Sequence, residues 1–489
     1  KLRTLQTFAC RAFSLWYSTN IGDKMVEYAE HQRNAISYQQ VVPNSILAMA
    51  TGTGKTVTTI GSELVNLQNN KLDKCIFVCT KGSIGEVIND YYKHYNFVPT
   101  QLDSQGALYN FFNSDKSVAV TRYEWLKHFD EGLLREHVAG HRLGMWWDEA
   151  QRLKNGSKDK NQSSGTNAHK FAKLLKPYCS AFHLVTATPV MTSLDDLWGL
   201  MHLVDSKALD TYDEFCKRFY VRELVPHPKV SKRRKTCKFC KSHLVYVNGW
   251  DYCTNRYCQA IQTPTGFIPY REKVRSIYSL VEYQNIDVLS RIMQNYMFCF
   301  FPEQDINYIE HKFEMSTSTE LNYYAIAKDL IDKIDADIPT PFGTRLIQLQ
   351  YLVDRSQEKM FELYKVVNQV KHKGFVLYTS FYESMDCVTA VLDKVEGLEY
   401  RTYSGKDCDE DKDENKKWFQ SDPTNKCLII TEAGGASLNL QVTNEFIFYN
   451  LPAGFGKMSQ ALGRVVRLFS TFKSFNIHFI LAEHSVDIY

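Results

Sequence analysis

Residues Ala50-Thr51-Gly52-Thr53-Gly54-Lys55-Thr56 bring glycines, hydroxyls and one lysine into a single short run. Glycines let backbone N–H groups close on phosphate oxygens, and a helix starting at the run would add its dipole. Read this way, Thr51, Gly52, Thr53 and Gly54 form a cradle for ATP, Lys55 reaches the β- and γ-phosphates, and Thr56 holds Mg²⁺. Met49 stands where the stricter phosphate-loop pattern has its first glycine, and a glycine-rich turn is the plain alternative. Further on, Met145-Trp146-Trp147-Asp148-Glu149-Ala150-Gln151 ends an apolar run on two acids. Asp148 suits a Mg²⁺ held through water, and Glu149 suits orienting and deprotonating an attacking water. Charge developing on a γ-phosphate also needs cations. Gln460-Ala461-Leu462-Gly463-Arg464-Val465-Val466-Arg467 offers Arg464 and Arg467, which share a face if the segment is helical, with Gln460 as a further nucleotide contact. Alone, an acid pair is usually a solvated turn and an arginine pair a surface feature. Their order after the phosphate loop favours the chemical reading.

These residues need rigid elements behind them. Ile46–Met49, Cys75–Cys79, Val118–Val120 and Phe182–Val185 are short apolar runs of the kind that form buried parallel strands. Longer mixed stretches between them suit crossover helices, Val57 to Asn66 being the one after the loop. The rhythm returns at Gly374–Tyr378, Cys427–Ile430, Glu445–Tyr449 and Ile477–Ile480. Between the two sets the pattern changes to helical pieces, a basic run, clustered cysteines and proline-rich loops. The acidic run Asp407 to Glu414 reads as a solvated loop.

The chain has 489 residues, too many for one core, so two or three domains are expected. Hydrophobic residues at 44% and charged residues at 23% are ordinary for a globular protein and exclude wholesale disorder. A net charge of +3 does not by itself mark a nucleic-acid binder, because distribution matters more than the sum. No run reaches the roughly 18 apolar residues of a membrane span, and no signal peptide is visible. With an odd 13 cysteines, an intracellular, reducing compartment is expected.

Taken in order, these motifs resemble the superfamily two helicases and, within them, the Swi/Snf-like translocases. Leu2-Arg3-Thr4-Leu5-Gln6 resembles the adenine-reading element, with Gln6 as reader. Asp148 to Asn155 is close to the Swi/Snf version of the acidic motif. Thr186-Ala187-Thr188-Pro189, Thr431 to Leu440 and Gln460 to Arg467 resemble motifs three, five and six. The departures are Ala187 and Ser437 in place of glycines, a phosphate loop closer to restriction-type and phage helicases, and Leu451-Pro452-Ala453-Gly454 in place of Trp-Asn-Pro. The resemblance implies an α/β fold of two RecA-like parallel-sheet lobes with a helical and zinc-ribbon-like insertion between them. Lobe one is expected over 1–204, the insertion and connector over 205–345, and lobe two over 346–489. It also implies backbone contacts to DNA from Lys81, Thr121-Arg122-Tyr123, Thr379 and Ser380, with Thr186, Thr188, Gly434, Gly435 and Asn439 coupling or gripping. Little sequence follows Arg467, so the expectation is a stand-alone motor of the compact kind found in phages, in which case its compartment is the host cytoplasm.

Cys237-Lys238-Phe239-Cys240 and Cys253 through Cys258 form a CxxC and a CxxxxC pair. Four thiolates close a tetrahedral, structural Zn²⁺ site, the alternative being unligated or disulfide-bonded cysteines. Leu244-Val245-Tyr246-Val247 between the pairs suggests a small hairpin and so a module at about 235–260. The basic run Lys229 to Lys235 suits phosphate contact on a duplex arm, or else is a solvated loop. The overall expectation is an ATP-dependent DNA helicase or translocase acting as a monomer on duplex, forked or branched DNA, in replication, recombination or repair. The alternatives are an RNA helicase, or a DNA-binding remodelling or transcription factor that translocates without unwinding.

Overall fold

A computed structural model describes residues 26–126, 128–154, 166–191, 193–226, 235–247, 250–263, 266–273, 276–335, 342–432, 438–452, 454–468 and 470–487. Gln6, Gly434, Gly435 and Ser437 lie outside these residues, as does the basic run apart from Lys235.

The buried apolar runs form two parallel sheets, because a strand covered by helices on both faces must be apolar throughout. The first sheet has seven strands in the order Met297–Phe300, Asn44–Met49, Cys179–Thr186, Leu143–Trp147, Lys74–Cys79, Val118–Arg122 and Thr100–Leu102. Every pairing in it is parallel. Trp146, Trp147, Phe77 and Phe182 are its largest fully buried side chains. Burying one large side chain is worth about 1.5–3 kcal/mol, so these strands hold their ends firmly.

The second sheet has six strands in the order Asp305–Phe313, Ser474–Ala482, Glu445–Phe448, Phe375–Tyr378, Lys426–Ile430 and Glu399–Tyr403. Two clusters cover it, one around Leu363, Val388 and Ile429 and one around Phe419, Leu438 and Val465. Two parallel sheets with helical crossovers are the expected RecA-like α/β lobes. Met297–Phe300 and Asp305–Phe313, read from sequence as connector, each add a strand to one of the sheets.

Two further readings change. The acidic run is not a loop: Asp409, Glu410 and Asp411 form the first turn of a helix over Asp409–Ser421, with Cys408 as its cap. Negative charge at a helix N-terminus is favoured by the dipole, so the run starts a helix rather than avoiding one. The helix Phe455–Leu462 ends at the cap residue Gly463, so Arg464 and Arg467 lie on the turn beyond it.

A second compact unit comprises Asp213–Leu289, Glu314–Glu358 and Ala482–Tyr489. It contains an antiparallel pair, Tyr220–Pro226 with Ser276–Tyr283, that carries an irregularity between Leu280 and Glu282. Its cysteine module is a three-stranded sheet, Leu244–Val247, Trp250–Cys253 and Arg271–Lys273. The expected hairpin is therefore present. No described helix is long and apolar enough to cross a membrane.

Candidate functional site

The loop at 50–54 leaves the strand Asn44–Met49 and enters the helix Lys55–Gln68. Gly52 and Gly54 have φ of 73° and 79°, left-handed values that favour glycine. Thr58 N–H donates to the Gly54 carbonyl at 3.0 Å, and the N–H groups of the first turn have no acceptor within the helix. That is an anion-binding end. Thr53 Oγ1 donates to the Ala50 carbonyl at 2.7 Å. Lys55 Nζ donates to the Met49 and Ala50 carbonyls at 3.2 and 3.1 Å, held across the loop mouth.

Asp148 and Glu149 sit at the end of the strand Leu143–Trp147 in the same sheet, with Glu149 at φ 50°. Burial pushes the Asp148 carboxyl up to about 7, the Glu149 charge adds to it, and the Lys55 ammonium opposes both. Burial lowers the Lys55 ammonium, while Glu149 and Asp148 raise it and Arg467 and Arg464 lower it. Five expected site residues thus share one electrostatic cluster.

The arginines arrive from the second sheet's side. Gly52 packs against Arg467, whose Cγ lies 2.5 Å from where a Cβ at Gly52 would stand. Gly463 has no room for a Cβ because the Thr51 side chain occupies that space. Arg467 Nη2 donates to the Leu438 carbonyl at 2.8 Å, while its Nε is buried without a partner. Burial brings Arg467 down to about 10, with Arg464 adding, and burial also lowers Arg464. Gln460 and Arg464 line a small cavity with Thr431, Glu432 and Lys457. An unpartnered guanidinium nitrogen, open helix N–H groups and a lysine resting on carbonyls together fit a polyphosphate.

A chain of hydrogen bonds leads away from the acids. Glu149 accepts from Gln151 Nε2, Gln151 Oε1 accepts from Thr186 Oγ1 at 2.7 Å, and Thr186 Oγ1 accepts from Thr188 N–H at 3.0 Å. Tyr123 OH donates to the Asp148 carbonyl at 2.7 Å, so this residue serves the acidic motif.

The other expected contact residues are more scattered. Lys81 is exposed, and Arg122 lies 5.6 Å over the Trp125 ring. Thr121 is buried, its hydroxyl donating to the Leu102 carbonyl at 2.8 Å. Thr379 is also buried and donates to the Phe381 carbonyl at 3.2 Å. Ser380 Oγ donates to the Leu451 carbonyl at 3.3 Å, and Asn439 Oδ1 accepts from Gln441 N–H at 3.4 Å.

Three residues were missed. His31 lies 2.9 Å from the Thr53 carbonyl through Nε2 and stacks on Phe300 at 4.0 Å, and Gln32 Nε2 donates to that carbonyl at 3.4 Å. Asn450 accepts from Ser380 N–H at 2.6 Å and donates to Thr379 Oγ1 at 3.3 Å. The available signal for Asn450 was a polar residue two positions after a buried strand.

The four cysteine sulfurs lie within 4.8 Å of one another. Cys237 and Cys258 are 3.7 Å apart and Cys240 and Cys253 3.4 Å apart. A tetrahedral zinc with Zn–S bonds near 2.3 Å sets its sulfurs about 3.8 Å apart, whereas a disulfide needs about 2 Å. The separations fit the metal. The first knuckle closes through Lys241 N–H on the Cys237 carbonyl at 3.0 Å, with Lys241 at φ 62°.

Residues 31–246 match the model of the SNF2-related domain, and residues 358–469 match that of the helicase conserved C-terminal domain. The chain is 24% identical over 349 residues to the uncharacterized ATP-dependent helicase YqhH of Bacillus subtilis, covering 70% of this chain and 56% of that protein. It is 26% identical over 219 residues to the chromatin-remodeling ATPase INO80 of Saccharomyces cerevisiae, covering 41% of this chain and 14% of that one. The chain thus spans about half the length of the first relative and a small part of the second. Among solved structures it is similar to the SWI2/SNF2 ATPase core of Sulfolobus solfataricus in complex with dsDNA, at 17% identity and a TM-score of 0.41, over 95% of this chain and 90% of that one. The chain thus carries an SNF2-related domain followed, in order, by a helicase conserved C-terminal domain.

Proposed function

We propose that the chain is an ATP-driven motor that translocates on DNA. The observation that carries this reading is the seating of the Gly463–Arg467 turn on the phosphate loop, which gathers Lys55, Asp148, Glu149, Arg464 and Arg467 into one cluster. In this reading the loop N–H groups and Lys55 hold the ATP phosphates, with Gln6 reading the adenine. Thr56 and Asp148 hold Mg²⁺, which neutralises phosphate charge when bound. Glu149 orients the attacking water, and Arg464 and Arg467 meet the charge that develops on the γ-phosphate. Because the arginines and the loop come from different sheets, hydrolysis changes what holds the sheets together. The Gln151–Thr186–Thr188 chain is the route by which that change reaches the grip on DNA.

DNA is favoured over RNA by the SNF2-related match and by the likeness to a protein named as a chromatin-remodeling ATPase. That likeness also supports translocation without strand separation, while the likeness to a protein named as a helicase supports unwinding. The working division is lobe one over 1–204, the insertion and connector over 205–345 with a zinc-binding module near 235–260, and lobe two over 346–489, the connector lending Met297–Phe300 to the first sheet and Asp305–Phe313 to the second. A fork or junction is the proposed DNA, in replication, recombination or repair.

The test is ATP hydrolysis by the purified chain alone and with single-stranded DNA, duplex, fork, four-way junction and RNA, with Lys55→Ala as control. Stimulation by duplex, fork or junction that is lost in the variant is the expected result. Stimulation by RNA alone moves the assignment to RNA, and no hydrolysis with any of them overturns the motor reading.

A further inference from the structure

Charge is unevenly spread along this chain. The whole sequence carries a formal +3, yet residues 229–275 hold eleven Lys and Arg against two carboxylates, Asp251 and Glu272. This stretch is the cysteine module and its approach.

The module's three-stranded sheet has two chemically different faces. In antiparallel pairing, residues directly opposite one another project to the same side. Tyr252 pairs with Val245 on one neighbour and Arg271 on the other, and Trp250 pairs with Val247 and Lys273. These six residues therefore form two adjacent rows on one face. Val245, Val247 and Tyr252 are exposed at 49%, 47% and 37%, and Arg271 and Lys273 are exposed as well. The Arg271 guanidinium lies 5.3 Å over the Trp250 ring. Both carboxylates belong to the other face: Asp251 is buried, and Glu272 accepts from Tyr270 OH. Cys253 is also on that face, so the metal site fixes the sheet from behind.

An open face with two aromatic rings, aliphatic borders and only positive charge is not built for a duplex, which offers phosphates but keeps its base faces stacked inside. An unpaired strand offers both, since each base has an exposed π-face and each linkage a negative charge. We propose that the Trp250–Tyr252 face of the zinc module is a stacking platform for unpaired nucleotides of single-stranded DNA. This rests on the reading that the chain works on DNA and deepens it. A motor whose insertion holds an unpaired strand is directed to forks and junctions, where duplex and single strand meet.

The test uses the full chain and fluorescence anisotropy of a labelled mixed-sequence single-stranded oligodeoxynucleotide, a blunt duplex, and an oligoribonucleotide of the same sequence. Tyr252→Ser is the main variant, and Trp250→Leu and Arg271→Gln are the second and third, with zinc content as the folding control. Stacking on one ring is worth about 1–3 kcal/mol per base, so Tyr252→Ser is expected to weaken single-strand binding by about tenfold, with the duplex affected less than about twofold. Unchanged single-strand binding by zinc-loaded Tyr252→Ser and Trp250→Leu overturns the proposal, and so does equal weakening on strand and duplex. Tighter binding of the RNA overturns the assignment to DNA. The motor reading is judged separately, because Lys55→Ala loses hydrolysis but is expected to keep single-strand binding.

Discussion

Thr186 Oγ1 donates to Gln151 Oε1 at 2.7 Å, and Gln151 Nε2 in turn donates to Glu149. One amide side chain thus ties the carboxylate at the end of one strand to the hydroxyl at the end of its neighbour. An amide has a donor end and an acceptor end, so the order of the chain is fixed: if Glu149 changes partner, Gln151 turns and Thr186 loses its acceptor. A net hydrogen bond is worth about 0.5–1.5 kcal/mol, enough to bias a two-state element without locking it.

Thr186→Val keeps the shape of the side chain and removes both the donor to Gln151 and the acceptor of Thr188 N–H, of which only the first leads to the acids. The expected result is a KM for ATP within about twofold of the parent and a DNA-stimulated kcat lower by about three- to tenfold, the size of one such bond. Thr186→Ser should restore most of the loss. Steady-state ATPase assays with and without duplex DNA check this, and an equal fall with and without DNA would count against a coupling role.

The contact between Thr51 and Gly463 gives a second prediction. A methyl group at position 463 would collide with the Thr51 side chain. Gly463→Ala should therefore cost about 1–3 kcal/mol of stability at the loop, as overpacking does elsewhere. Thr51→Gly in the same chain removes the obstacle. The double variant should then be more stable than the two single effects added together, a coupling that thermal unfolding of all four proteins measures.

The cysteine module predicts about one equivalent of zinc per chain by elemental analysis. Cys253→Ser should lose most of it, because an alcohol does not replace a thiolate ligand. Buried Cys253 pairs through its strand with Leu244 and carries the hairpin, so local unfolding of 235–273 should follow zinc loss, seen as faster proteolysis there. Zinc retained in the variant would point to different ligands.

Strands buried on both faces were legible because their composition is their environment: Ile46 to Met49 and Cys427 to Ile430 are apolar at every position and fully buried. Edge strands were not. Thr100–Leu102 has three residues and Glu399–Tyr403 reads Glu-Tyr-Arg-Thr-Tyr, so neither presents an apolar run. Met297–Phe300 is apolar, but its partner Asn44–Met49 lies far away in the chain, and no local pattern names a distant partner. At the site, residue types announced phosphate chemistry at Lys55, Asp148 and Arg464. They could not tell a hydroxyl aimed at solvent from one used internally: Thr121, expected as a contact, is buried and bonded across its sheet, and Thr379 is buried and bonded to the Phe381 carbonyl just beyond its strand. Gly463 did mark the helix end that separates the arginines from the helix, and a glycine one residue before Arg464 was visible from the start.

Glu63 is fully buried on the helix that follows the phosphate loop, where its carboxyl group accepts from Tyr91 OH. Burial raises this carboxyl to about 8, and the Tyr91 hydrogen bond offsets part of the rise. The unfolded chain ionises this group near its ordinary value of about 4.3. The folded form holds its proton until a much higher pH, so the unfolded state loses that proton first. Stability from this group is therefore full below about 4.3 and falls as pH rises toward about 8, beyond which it levels off. Glu63→Gln keeps an acceptor for Tyr91 and cannot ionise. Its Tm should match the parent near pH 4 and exceed it by a growing margin up to about pH 8, in differential scanning calorimetry at constant ionic strength. A gap that stays constant from pH 5 to 8 would mean that Glu63 ionises alike in both states, and its burial would then not govern its charge.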